Sequence, residues 1–123
     1  MKTLGFDTSN YTTSAALYDG KSFTSSRKIL PVKDGERGLR QSDALFQHIK
    51  QLPEIIDGLG EIGKIGAVGV STRPRSVEGS YMPVFLAGIS FAKTAASVLG
   101  VPLFEFSHQD GHIMAGIYSS GDL

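Results

Sequence analysis

Apolar and polar positions change period several times along the chain, and each change predicts a different element. Residues 12–18 alternate and run into Asp19-Gly20, a pair suited to the tight turn of a hairpin. Residues 3–8 before them read as a first strand, and 22–30 after them as a third, closed by Pro31. The segment from Val32 to Gly38 is charged and carries two glycines, which predicts an exposed loop. From Ser42 or Asp43 the period lengthens to that of a helix, with Leu45, Ile49, Leu52, Ile56 and Leu59 on one stripe. His48 lies beside that stripe, where a histidine is ordinarily packed and half-exposed. Pro53 predicts a kink, because its ring removes a backbone donor and crowds the preceding turn. Gly58 and Gly60 end the helix.

Residues 65–71 are short, apolar and β-branched, as a buried central strand requires. Residues 83–99 form a helix rich in Ala, Gly and Ser, opened by Pro83 and closed by Gly100. Such small side chains suit close packing on a sheet. Residues 103–106 are the last strand, and a final helix starts at His108. A β-meander followed by alternating helices and strands predicts an α/β fold of the ribonuclease H layout. Its mixed five-stranded sheet would carry helices on both faces.

Composition narrows the classes. A chain of 123 residues with 41% hydrophobic content supports one compact domain, and no linker, repeat or low-complexity tract divides it. Lys+Arg and Asp+Glu both number 12, so no net charge draws the chain to nucleic acid or an anionic membrane. There is no cysteine, hence no disulfide framework and no thiolate metal site. The first residues lack the apolar core of a signal peptide, and no apolar run reaches the ~20 residues of a membrane span. The expectation is a cytoplasmic protein that does not engage a membrane.

Three segments carry candidate chemistry. Asp7-Thr8-Ser9 ends the first strand. Its hydroxyls and backbone donors could hold a phosphate while Asp7 orders a metal ion or water. The plainer reading is a polar turn that Asp7 fixes through local hydrogen bonds. The loop from Ser71 to Ser80 follows a central strand and precedes a helix, the position where open α/β sheets bind ligands. Arg73 and Arg75 could clamp a phosphate or carboxylate there, or could be solvated with Glu78 neutralising one of them. Ser107-His108-Gln109-Asp110-Gly111-His112 sets two imidazoles four residues apart, on one face of a helix. They could share a metal ion, but a site needs at least a third ligand, and two ordinary helix histidines fit the spacing as well. A His-Glu-x-x-His metalloprotease is disfavoured, because position 109 is Gln and offers no general base.

Gly5-Phe6-Asp7-Thr8-Ser9, Ala16-Leu17-Tyr18-Asp19, Gly88-Ile89-Ser90-Phe91-Ala92-Lys93 and the segment from Ser107 to His112 occur in this order at suitable distances. Together they resemble the N-terminal half of the tRNA threonylcarbamoyladenosine transferase family, formerly called glycoproteases or O-sialoglycoprotein endopeptidases. The resemblance implies one half of an actin-like ATPase fold around a nucleotide cleft, with residues 1–123 as a single N-terminal domain and the second half outside the chain. It implies that His108 and His112 ligate one divalent metal ion, iron or zinc, per full-length chain, with an aspartate of the second half. It implies that Asp7, Thr8 and Ser9 face the phosphates of ATP or an acyl adenylate. The implied partners are tRNA, for the full-length protein, and a second copy or an actin-like paralogue. The chain departs from the family pattern at Asn10-Tyr11-Thr12, at Arg73-Pro74-Arg75-Ser76 in place of a glycine-rich loop, and between Val32 and Arg40. Those departures mark a divergent paralogue, for which a scaffolding role without catalysis is the alternative and a peptidase the remote one.

Overall fold

Alternation in the first third of the chain produces three strands, β1 (Lys2–Asp7), β2 (Thr12–Tyr18) and β3 (Phe23–Ile29). They are followed by α1 (Gln41–Asp57), β4 (Ile65–Arg73), α2 (Phe85–Leu99) and β5 (Leu103–Ser107). The structure is a computed structural model and describes residues 2–9, 11–31, 41–73 and 84–107. One five-stranded sheet results, in the order β3-β2-β1-β4-β5. The β1–β2 and β2–β3 pairs are antiparallel, whereas β1–β4 and β4–β5 are parallel. The mixed five-stranded sheet is the one the pattern predicts. Its consequence for a site is direct: the parallel strands β1, β4 and β5 all deliver their carboxyl ends to one edge.

Because strand side chains alternate, the register sorts residues onto two faces. On the inner face Leu4 and Phe6 of β1 lie between Leu17 and Ala15 of β2 and Val68 and Val70 of β4. These six join Leu52 and Ile55 of α1, Leu59 just beyond its end, and Ala87, Ala92 and Ala96 of α2 in one buried cluster. Both described helices therefore pack on the same face. The opposite face presents Thr3, Gly5 and Asp7, Ser14, Ala16 and Tyr18, and Ala67, Gly69 and Ser71. It carries no helix among the described residues, and the helix expected from His108 lies outside them.

The small residues of α2 have a geometric reason. A Cβ at Gly88 would stand 3.0 Å from Thr8 Oγ1 and 3.5 Å from Val70 Cγ2, so any larger residue would have to push the Thr8 side chain aside for the helix to approach this closely. Gly100 ends α2 as expected: at φ 68° it occupies the left-handed region, and its N–H reaches the carbonyls of Ala96 and Ser97.

Two expectations for α1 need correction. The helix begins at Gln41, one residue before the expected start, and runs with Pro53 inside it to Asp57, just before the two glycines expected to end it. The lost backbone bond is tolerated because Leu52, Ile55 and Leu59 are buried on either side of it. The buried face is also rotated from the expected stripe: Ala44, His48, Gln51, Leu52, Ile55 and Leu59 are buried, while Ile49 is 45% exposed. His48 is fully buried rather than half-exposed.

The β2–β3 turn is held by one carboxylate. Asp19 Oδ1 accepts the N–H groups of Lys21 and Ser22, and Oδ2 accepts the Ser22 hydroxyl, at 2.7–2.9 Å. Those donors, the Ser22 amide foremost, lower its pKa to about 2. No described helix is long and apolar enough to cross a membrane.

Candidate functional site

The carboxyl ends of β1, β4 and β5 bring four of the sequence-predicted residues to one edge: Asp7, Thr8 and Ser9 after β1, and Arg73 at the end of β4. Arg75, His108 and His112 lie outside the described residues. Ser107, which precedes His108 in the sequence, ends β5 at this edge, opposite Arg73, and is fully buried.

Each residue is placed by identifiable bonds. Asp7 points to the outer face, and its Oδ1 accepts the Ser9 N–H at 2.8 Å. This Asx-type turn is the local role that the plainer sequence reading assigns to Asp7. The Ser14 hydroxyl donates to the Asp7 carbonyl at 3.2 Å, which ties the start of β2 to the end of β1. Ser9 is buried, at 7% exposure. Thr8 points inward and is fully buried; its Oγ1 donates to Val84 O at 2.9 Å and accepts from Gly88 N–H at 3.1 Å. Val84 caps α2 without a side-chain bond of its own. One hydroxyl thus bridges the carbonyl and amide that bracket the first turn of α2. Thr8 fixes where α2 begins relative to β1.

At the end of β4, Arg73 Nη1 donates to Thr72 Oγ1 at 2.9 Å. The register shifts between Ser71 and Arg73 in the pairing with β5, so the strand is irregular where its side chains reach the edge. Ser71 is fully buried, and its Oγ has no hydrogen-bond partner. Among the described residues no group of three or more His, Asp or Glu side chains is placed to hold a metal.

Sequence reasoning missed two arrangements. The first is a buried polar cluster between α1 and β2. Thr13 Oγ1 lies 2.8 Å from His48 Nδ1 and donates to Gln51 Oε1 at 3.0 Å, and Gln51 Nε2 reaches Ile29 O at 3.4 Å. The signal was present, because Thr13 shares the parity of Ala15 and Leu17 on β2, and His48 and Gln51 are three residues apart on one helix face. The second is the unpartnered Ser71, hidden inside an apolar run that reads as uniform core.

No family model matches the sequence. Two solved structures from Pseudomonas aeruginosa are similar over 86% of the chain. One is an uncharacterized protein with similarity to the peptidase YeaZ, at 20% identity and a TM-score of 0.60. The other is YeaZ itself, at 17% identity and a TM-score of 0.56. The chain has the ribonuclease H-like, actin-like fold. At these identities the likeness speaks for the fold alone, and the chain spans 43% of the length of each of these two structures.

Proposed function

We propose that this chain is the N-terminal half of a metal- and nucleotide-binding transferase of the threonylcarbamoyl type, acting on a tRNA adenosine and inactive as an isolated half. The observation that carries the reading is the convergence at one sheet edge. Asp7 ends β1 there with Ser9 two residues on, Arg73 ends β4, and Ser107, which precedes His108 in the sequence, ends β5. A span of 43% of each of the two similar structures agrees with half of a two-part molecule.

The division of labour follows from the side chains. Two imidazoles at i and i+4 are a donor set that suits iron or zinc, with the remaining ligand supplied from beyond this chain. The ion, when bound, supplies a Lewis acid for carbamoyl or phosphate oxygens. Asp7 is held by the Ser9 amide and presents its carboxylate at the edge, where it orders a cation or water beside the phosphates. Arg73, with Arg75 after it, offers guanidinium donors to a phosphate or carboxylate. Thr8 acts indirectly, by docking the start of α2 against β1. No covalent step by the protein is needed, in keeping with the absence of cysteine.

Elemental analysis of protein purified without oxygen or chelator tests the metal. About one iron or zinc per two-half chain is expected, lost in His108→Ala/His112→Ala. A two-half chain that stays metal-free, or one whose content the double variant leaves unchanged, refutes the reading. A second reading, a non-catalytic paralogue serving as a scaffold, is favoured by the exposed apolar side chains Phe46 and Ile49 on α1 and Val98 and Leu99 on α2. It requires self-association or a stable partner in sedimentation, with no nucleotide or metal bound.

A further inference from the structure

Serine is an unexpected choice at position 71. Folded proteins pair nearly all their buried polar groups, because a hydroxyl removed from water without a partner is costly. Ser71 Oγ is fully buried without one, the only such described side-chain atom. Alanine or glycine would avoid the penalty, and those are the residues that precede it on the same face of β4, at Ala67 and Gly69. The hydroxyl therefore needs a reason.

The register supplies its surroundings. Phe6 pairs with Val70 across the parallel β1–β4 ladder, so the next residues, Asp7 and Ser71, are neighbours on the outer face. Adjacent strands lie about 4.8 Å apart. On the other side Asp7 pairs with Ser14. Ser14, Asp7 and Ser71 thus form a row of oxygen-bearing side chains across β2, β1 and β4 at the carboxyl edge. The row beneath is Ala16, Gly5 and Gly69, which carry nothing beyond a Cβ.

We propose that Ser71 is a further binding residue of this edge, whose hydroxyl donates to an oxygen of a magnesium nucleotide held against Asp7. The inference rests on the nucleotide-binding reading and deepens it. A carboxylate beside a phosphate is repulsive unless a cation lies between them. Magnesium resolves this, since it takes one carboxylate, several waters and phosphate oxygens together. The edge then needs a neutral donor for the oxygens turned away from the metal. Thr8 is committed to α2 and the Ser14 hydroxyl to the Asp7 carbonyl, whereas Ser71 is unspent. Full burial means that the hydroxyl meets its ligand by rotation about χ1, coupled to a local adjustment of the irregular end of β4.

The test joins two readouts on the two-half chain and its Ser71 variants: thermal melting without ligand, and calorimetric titration with magnesium ATP. Ser71→Ala is expected to melt higher than the wild type, because the unpaired hydroxyl is gone. It is also expected to bind magnesium ATP about tenfold more weakly, the loss of one hydrogen bond. Ser71→Cys, of similar shape with a weaker donor, should fall between them in affinity and serves if the alanine variant does not fold. Equal affinity in all three overturns the inference and leaves the nucleotide reading standing. A wild type that binds no magnesium ATP overturns both. A Ser71→Ala protein that melts lower shows that the hydroxyl serves the fold, and this also overturns the inference. Titration with magnesium alone separates the acceptors: dependence on Ser71 there identifies a metal-bound water, and dependence with ATP only identifies a phosphate.

Discussion

Thr13→Val changes little in shape and removes one oxygen, which makes it a sharp probe of the contact between α1 and the sheet. Thr13 and His48 are fully buried and Gln51 is 6% exposed, so water does not take over a lost bond. The network also assigns its own protons. Gln51 Nε2 points to Ile29 O, which turns Oε1 toward Thr13. The single hydroxyl hydrogen goes to that oxygen, and His48 donates through Nδ1–H to the Thr13 oxygen, at 2.8 Å. Valine deletes the acceptor for His48 and the donor for Gln51 together.

Each buried polar group left unpaired costs about 1–3 kcal/mol, so the pair should cost about 2–6 kcal/mol. That is a large fraction of the ~5–15 kcal/mol that stabilises a typical domain. Thr13→Ser is the control, since it keeps the hydroxyl and gives up a methyl group worth about 1 kcal/mol. Urea denaturation followed by far-ultraviolet circular dichroism measures all three proteins. Valine should be less stable than serine by at least ~1 kcal/mol. If valine matches or exceeds serine, the hydrogen bonds are worth no more than the methyl group, which refutes the cost worked from the buried network.

Gly88→Ala sets helix propensity, which favours alanine by about 1 kcal/mol, against a Cβ placed 3.0 Å from the Thr8 oxygen. Displacing that hydroxyl disturbs two buried bonds and overpacks the site at about 1–3 kcal/mol, so the melting temperature should fall; a rise would show that the approach is not tight. Asp19 should titrate near pH 2 by carboxyl NMR in the folded chain. Because its folded pKa is depressed from 3.8, the turn's contribution is complete above that value and is lost as pH falls toward about 2. Asp19→Ala should abolish this acid-range dependence, and an Asp19 midpoint at the ordinary carboxylate value would refute the turn geometry.

The sheet was legible because one of its faces is buried. The alternation from Thr12 to Tyr18 favours one register, and the apolar run from Ile65 needs cover on both sides. The existence of α1 was legible for the same reason, but its orientation was not. A stripe drawn through Leu45, Ile49 and Leu52 counts apolar residues, whereas the buried face also takes His48 and Gln51. Both are admitted because Thr13, distant in sequence, satisfies them; periodicity does not register that kind of pairing. Asp7 through Ser9 could be read as a turn or as a phosphate hairpin. The local bonds of the turn are present, and they leave its carboxylate at the edge where a ligand would sit.

The two faces of the sheet use polar residues in opposite ways. Inward, Thr8, Thr13, His48 and Gln51 are buried and hydrogen-bonded, and each bond joins elements far apart in sequence: β1 to α2, and β2 to α1. Such bonds specify where a helix lies on a largely apolar face, because a slip would leave the groups unpaired. At the outer carboxyl edge the pattern reverses. The bonds described for Asp7, Ser14 and Arg73 are to near neighbours in sequence, and Ser71 Oγ has none. A hydroxyl that holds nothing in place, as at Ser71, contributes little to the fold, and its position where three parallel strands end is the ground for assigning it to a ligand. Inward substitutions should thus register first in denaturation, and outward ones first in ligand affinity.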